Sequence, residues 1–157
     1  MKFTLVKNIQ KDSAMSLILK GFLIFIFLYL IADVLVMKSS FGISIETINT
    51  TLFGNEETYA DPLTESAFLE FWHTQIFFIM MILLTLNAIF IRVAKRSRVI
   101  ITNMLMISAI ASLISLPLAF YASTIFVNIY LVTFFTWHLV AAYMVSYSFW
   151  KLHARSV

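Results

Sequence analysis

The chain has 157 residues, 61% of them hydrophobic and 12% charged, with a formal net charge of +3 and a mean hydropathy of +0.93. A soluble domain of this length cannot hide so much apolar surface, whereas a bilayer accepts it directly. Zero cysteines exclude disulfides, thiolate-bound metals and thiol chemistry. The positive balance does not point to nucleic acid, because Lys and Arg cluster at the ends of the apolar runs.

Backbone groups inside hydrocarbon must be satisfied by the chain itself, so the spanning elements are helices or a closed barrel. Long unbroken apolar runs, rather than strict alternation, select helices. Residues 1–16 form a basic lead with Lys2, Lys7 and Lys11 against Asp12. Residues 17–37 are the first span. A cleaved signal peptide is the rival reading, but a run of about 20 apolar residues exceeds the usual h-region of roughly 7–15. The residues that follow, Val36 to Ser40, also make a poor small-x-small cleavage site, so an uncleaved helix is expected.

The loop 38–61 comes next, and residues 46–70 hold six of the eight acidic side chains. Within the loop, Ser44 is placed to cap a short helix with Ile45, Ile48 and Leu52 on one face, stopped by Gly54. Such a helix suits the membrane surface over the bundle. Asp61-Pro62 reads as an N-cap followed by proline at the first helical position. Nothing then breaks the helix before Ala94, which gives a second span over 68–93. At 1.5 Å per residue the whole helix is roughly 50 Å long, so its first two turns stand out of the membrane. Lys95 to Arg98 is a tight basic turn. The third span is 99–118, with Pro117 marking its outer end, and the fourth is 124–150, closed by Lys151, His153 and Arg155.

The expected fold is therefore all-α: one membrane domain over 1–157, an integral four-helix bundle running up-down-up-down. The amino-terminal segment through Lys20, the 92–98 turn and the carboxyl tail hold ten of the eleven Lys and Arg residues. The positive-inside rule then puts both termini in the cytoplasm and the acidic 38–61 loop outside.

Three faces are expected to pack. At 100° per residue, Ser66, Glu70, His73, Met80, Asn87 and Ala88 form a stripe on the second span that should face the bundle. Ser108, Ser112, Ser115 and Ala119 make a small-xxx-small ridge on the third, which lets another backbone approach closely. His138, Ala141, Ala142 and Val145 make a comparable face on the fourth.

Ionisable groups within spans are expensive and so mark candidate sites. Asp33, His73 and His138 qualify, and with Asn87 they make a candidate intramembrane polar network. Asp33 lies 13 residues after Lys20 and His138 lies 13 before Lys151, which sets both roughly 20 Å above the inner boundary. His73 is 19 residues from Arg92, or roughly 28 Å up. A haem b or quinone held by His73 and His138 is the sharpest possibility, although axial ligands of one iron need nearly equal height. Glu70-x-x-His73 has the spacing of di-iron bundles in a single copy, and with Asp33 it leaves a mononuclear metal site open. Four-helix cytochrome b subunits are the nearest in architecture, and this chain lacks their multiple paired histidines. No phosphate loop, Ser-x-x-Lys pair or His-Glu-x-x-His is present, so a catalytic role is not favoured.

The leading expectation is a small polytopic protein of the bacterial cytoplasmic (inner) membrane, acting as a non-catalytic subunit or accessory protein of a larger complex. Its partners would be the lipid bilayer and other membrane subunits or further copies of itself. The alternatives are a haem- or quinone-linked electron or proton transfer subunit using the His and Asp residues, and a small homo-oligomeric transporter or channel.

Overall fold

The computed structural model describes residues 13–94 and 98–154. Residues 1–12 of the basic lead, the charges Lys95 and Arg96, and Arg155 fall outside the described residues. The elements are α1 (Ser13–Ser40), α2 (Ile45–Phe53), α3 (Glu65–Val93), α4 (Arg98–Tyr121) and α5 (Ile125–His153). Four of them, all but α2, are long and apolar enough to cross a membrane. The shortest, α4, has 24 residues, roughly 36 Å against a hydrocarbon core of about 30 Å. The chain is an all-α membrane helical bundle.

The long helices overrun the predicted spans, and local chemistry explains where each stops. α1 continues to Ser40 because Phe41 and Gly42 both donate backbone N–H groups to Met37 O at 3.0 Å, closing the last turn in the manner of a Schellman cap. Gly42 has φ +82, and a Cβ there would also collide with Thr47, so this turn requires glycine. α2 forms as expected, with Ser44 and Thr47 in a reciprocal capping box and Gly54 at the C-cap. Its buried side chains are Ile48 and Leu52, while Ile45 stays exposed.

α3 does not begin at Asp61-Pro62. Leu63 N–H is taken by Thr51 O at 3.0 Å, which pins the segment to α2 in a non-helical path. Thr64 is the N-cap instead, its hydroxyl accepting from Ala67 N. Pro117 does not end α4 either, since the helix runs four residues further, to Tyr121. Proline lacks the N–H that would bond the carbonyl of residue 113. Trp72 of α3 supplies the missing donor, with Nε1 2.8 Å from Leu113 O.

α5 is the hub and touches each of the other four helices, most extensively α4. The small ridge of α4 is buried along its whole length: Ser108, Ser112, Ser115 and Ala119 are all inside, as are Ala141 and Val145 on α5. The ridge thus serves packing within the chain. Ser108 avoids an orphaned hydroxyl by donating back to Met104 O at 2.6 Å.

The stripe expected to turn α3 inward faces the other way. The buried residues of α3 are Phe68, Ile79, Ile82, Leu83, Leu86, Ile89, Phe90 and Val93, nearly opposite to Ser66, Glu70, His73, Met80 and Ala88, which are all exposed. Two physical reasons account for this. Ser66, Glu70 and His73 lie in the first three turns of α3, near its end, where polar side chains can reach the membrane surface. Deeper hydroxyls need no bundle because they bond their own helix: Thr85 donates to Met81 O at 2.8 Å, as Thr136 does to Val132 O at 2.6 Å on α5.

Candidate functional site

The buried apolar side chains fall into two clusters, one above the other. One collects Leu23, Ile26 and Leu30 of α1 with Ile79, Leu86, Ala109, Trp137 and Met144. The second collects Met37, Phe41, Ile48, Leu52, Phe68, Leu116, Val127 and Phe134. Between them runs a thin polar layer. On α1 the inward positions Leu23, Ile26, Leu30, Asp33 and Met37 follow a 3-4 spacing, so Asp33 occupies a core position of a heptad-like seam. On α5, His138 follows Trp137 of the first cluster and comes four residues after Phe134 of the second. Both polar residues are therefore carried to the same level by apolar neighbours that must be buried.

At that level Asp33 and His138 meet, with Oδ2 and Nε2 3.2 Å apart and both side chains buried. The other carboxylate oxygen, Oδ1, accepts from Gln75 Nε2 of α3 at 2.7 Å and, at a longer 3.4 Å, from the Tyr29 hydroxyl one turn earlier on α1. Three helices are joined through one carboxylate. The fourth long helix borders the layer through Ser112, which shares a gap of about 10 Å³ with Gln75, Tyr130 and Phe134, close to the smallest volume that admits one water.

The protonation geometry of His138 follows from its other nitrogen. Nδ1 lies 2.8 Å from Phe134 O, and a carbonyl only accepts, so Nδ1 carries the hydrogen there. Nε2 is left facing Asp33. A proton on either Oδ2 or Nε2 would allow this contact to become a hydrogen bond. The contact is close but off the line of a well-aligned hydrogen bond. The ring is gripped between Trp137 and Phe134, with centroids 3.8 and 4.2 Å away, which restricts its rotation.

Other candidates are not brought to this site. His73 is exposed on α3, and at 100° per residue it points about 200° away from Gln75, the residue of that helix that reaches Asp33. His73 and His138 therefore do not form a facing pair, and Nδ1 of His138 is held by Phe134 O while Nε2 faces Asp33. The geometry does not fit a haem held between these two histidines of one chain. Glu70 shares the exposed flank with His73, so the trio Glu70, His73 and Asp33 is split across α3. Among the described residues no three His, Asp or Glu side chains stand together as a metal would require. Asn87 is 12 residues beyond Gln75, roughly 18 Å along the helix, and its Nδ2 contacts Met106 Sδ at 3.3 Å instead. The expected four-residue network is thus a pair, Asp33 and His138, completed by two residues the sequence analysis did not single out. Tyr29 was detectable as an i, i+4 neighbour of Asp33, and Gln75 as the amide at the head of a long apolar run.

Residues 42–156 match a family model described as a transmembrane helical domain. No curated protein and no solved structure matches the chain.

Proposed function

The chain belongs to the Aq_1264_TM family of transmembrane helical domains, and from that premise we propose that it is a non-catalytic subunit or accessory protein of a larger membrane complex. In this reading it lies in the cytoplasmic (inner) membrane of a bacterium with both termini inside. The observation that carries the proposal is the outward turn of the polar flank of α3. Ser66, Glu70 and His73 are exposed together on one flank, and polar groups that water can satisfy are equally open to the polar groups of a partner. Near the outer end of α3 such a flank suits a partner's polar groups. The interior supports the same reading, since the carboxylate of Asp33 holds helices together.

The absence of cysteine makes the test direct. His73→Cys gives a single thiol, and a thiol-reactive photocrosslinker placed there in native membranes is expected to capture a second polypeptide of defined mass. Capture of another copy of this chain would support a homo-oligomer; labelling of lipid alone would overturn the proposal. For orientation, reporter fusions at the 95–98 turn are expected to be active on the cytoplasmic side and those at Asn55 on the outer side. Both reporters active on one side would contradict the arrangement.

A second reading, proton transfer linked to electron carriers in the membrane, is favoured by one observation: the 3.2 Å approach of Asp33 Oδ2 and His138 Nε2, two titratable groups buried within the bundle. Its test is the rate at which an imposed pH gradient decays across liposomes holding the unmodified chain or Asp33→Asn; a slower decay in the variant is expected, and equal rates would overturn this reading.

A further inference from the structure

α1 is the least enclosed of the long helices, and its contact with α3 is slight. Between them runs a groove of about 190 Å³ lined by Phe22, Phe25, Tyr29, Phe78, Met81 and Thr85. Its rim faces lipid, because Phe22, Phe25, Phe78 and Met81 are exposed. One end is polar. There Tyr29 lines the groove while its hydroxyl reaches Asp33 Oδ1 at 3.4 Å. We propose that this groove binds a quinone-class isoprenoid lipid, with a ring carbonyl at the Tyr29 hydroxyl and the chain running toward Phe22 and Thr85.

Four features favour this occupant. Tyr29 lies nine residues beyond Lys20, roughly 14 Å into the bilayer, a depth at which a phosphate headgroup loses its hydration but a neutral carbonyl does not suffer. The aromatic walls at Phe22, Phe25, Tyr29 and Phe78 suit a flat ring and unsaturated chain. The Tyr29 bond to Asp33 is long, and Oδ1 keeps its 2.7 Å partner Gln75, so the hydroxyl can turn to a ligand oxygen without stranding the carboxylate. Finally, Asp33 stands between Tyr29 and His138, which sets two titratable side chains in line behind the ligand. The assignment deepens the proton-transfer reading by naming its ligand. The two fail separately, because ligand binding at equilibrium needs no proton transfer, whereas the liposome measurement reads transfer alone.

The test titrates the full chain, in phosphatidylcholine nanodiscs, with decylubiquinone and follows quenching of the tryptophans. Saturable quenching is expected. Thr85→Phe, which fills the groove from α3, should abolish it. Tyr29→Phe should weaken it about 5-fold, the loss of one hydrogen bond. Independently of any variant, a photoreactive azidoquinone should label residues 22–29 and 78–85. Unsaturable quenching, saturation that survives Thr85→Phe, or labelling elsewhere would overturn the site. Saturation lost in Thr85→Phe but unchanged in Tyr29→Phe would mean that only an acyl chain fills the groove, and would overturn the quinone assignment.

Discussion

Asp33→Leu is expected to destabilise the folded bundle by about 3 kcal/mol, and Asp33→Asn by about 1 kcal/mol. The carboxyl of Asp33 ties α1 to both α3 and α5 by polar contacts, through Gln75 and His138. Leucine fills a similar volume but accepts no hydrogen bond, so it strands the amide of Gln75 and the Nε2 of His138 together. Each stranded group in a water-free interior loses its desolvation compensation, about 1–3 kcal/mol. Asparagine keeps a carbonyl for Gln75 and an amide donor for Nε2, so it loses charge assistance and little geometry. Membrane proteins return less per hydrogen bond than vacuum arguments suggest, because the unfolded helices also find partners, which holds the leucine figure near the lower end of the summed range. Unfolding in mixed micelles by titrated SDS, followed by far-ultraviolet circular dichroism, measures both variants. Equal losses for Leu and Asn would show that Asp33 does not bridge helices.

The second large effect concerns a hydrogen bond whose need arises from a proline. Trp72→Phe is expected to cost about 2 kcal/mol in the unmodified chain, and well under 1 kcal/mol in a Pro117→Ala background. Pro117 has no N–H to give Leu113 O, and the indole of Trp72 stands in for it at 2.8 Å. Phenylalanine keeps most of the packing but leaves that carbonyl bare. Alanine at 117 restores the helix's own donor, so the carbonyl no longer depends on α3. The same alanine should straighten α4 near its outer end and loosen its tie to α3, since the Trp72 donor then competes with a backbone N–H. A double-mutant cycle read by the same SDS titration isolates the coupling. Additive effects, with no coupling, would show that the indole bond carries no energy.

Much of this architecture could be read without coordinates. Four apolar runs, their basic ends and the Ser44 and Gly54 caps follow from rules that act within one helix or at one membrane surface. The equal 13-residue offsets of Asp33 from Lys20 and His138 from Lys151 also carried information, because helices of constant rise crossing one bilayer convert residue count into depth. The small ridge of α4 was visible for the same reason, as a periodic pattern with one physical use. The two helix ends expected at a proline moved through contacts from elsewhere. Thr51 O holds Leu63 out of the helix, and Trp72 lets α4 continue through Pro117.

The sequence by itself determined that this is a multi-pass helical membrane protein, where its helices lie to within a turn or two, and which polar residues stand at which depth. All of that depends on hydropathy, helical rise and charge, which are properties of each segment alone. Only the tertiary structure decided which way each helix faces. In water the hydrophobic effect would turn a polar stripe outward and an apolar one inward, but in lipid both faces of α3 are apolar enough to be exposed. Rotation is then chosen by fit and by a few specific bonds. Gln75 and Trp72 find partners on α1 and α4, which turns Phe68, Ile79, Leu86 and Phe90 inward and leaves Glu70 and His73 outside. The pairing of Asp33 with His138 has the same origin. Depth made it feasible, and the packing of Leu30 and Met37 on one helix and Phe134 and Trp137 on the other turned the two side chains toward each other.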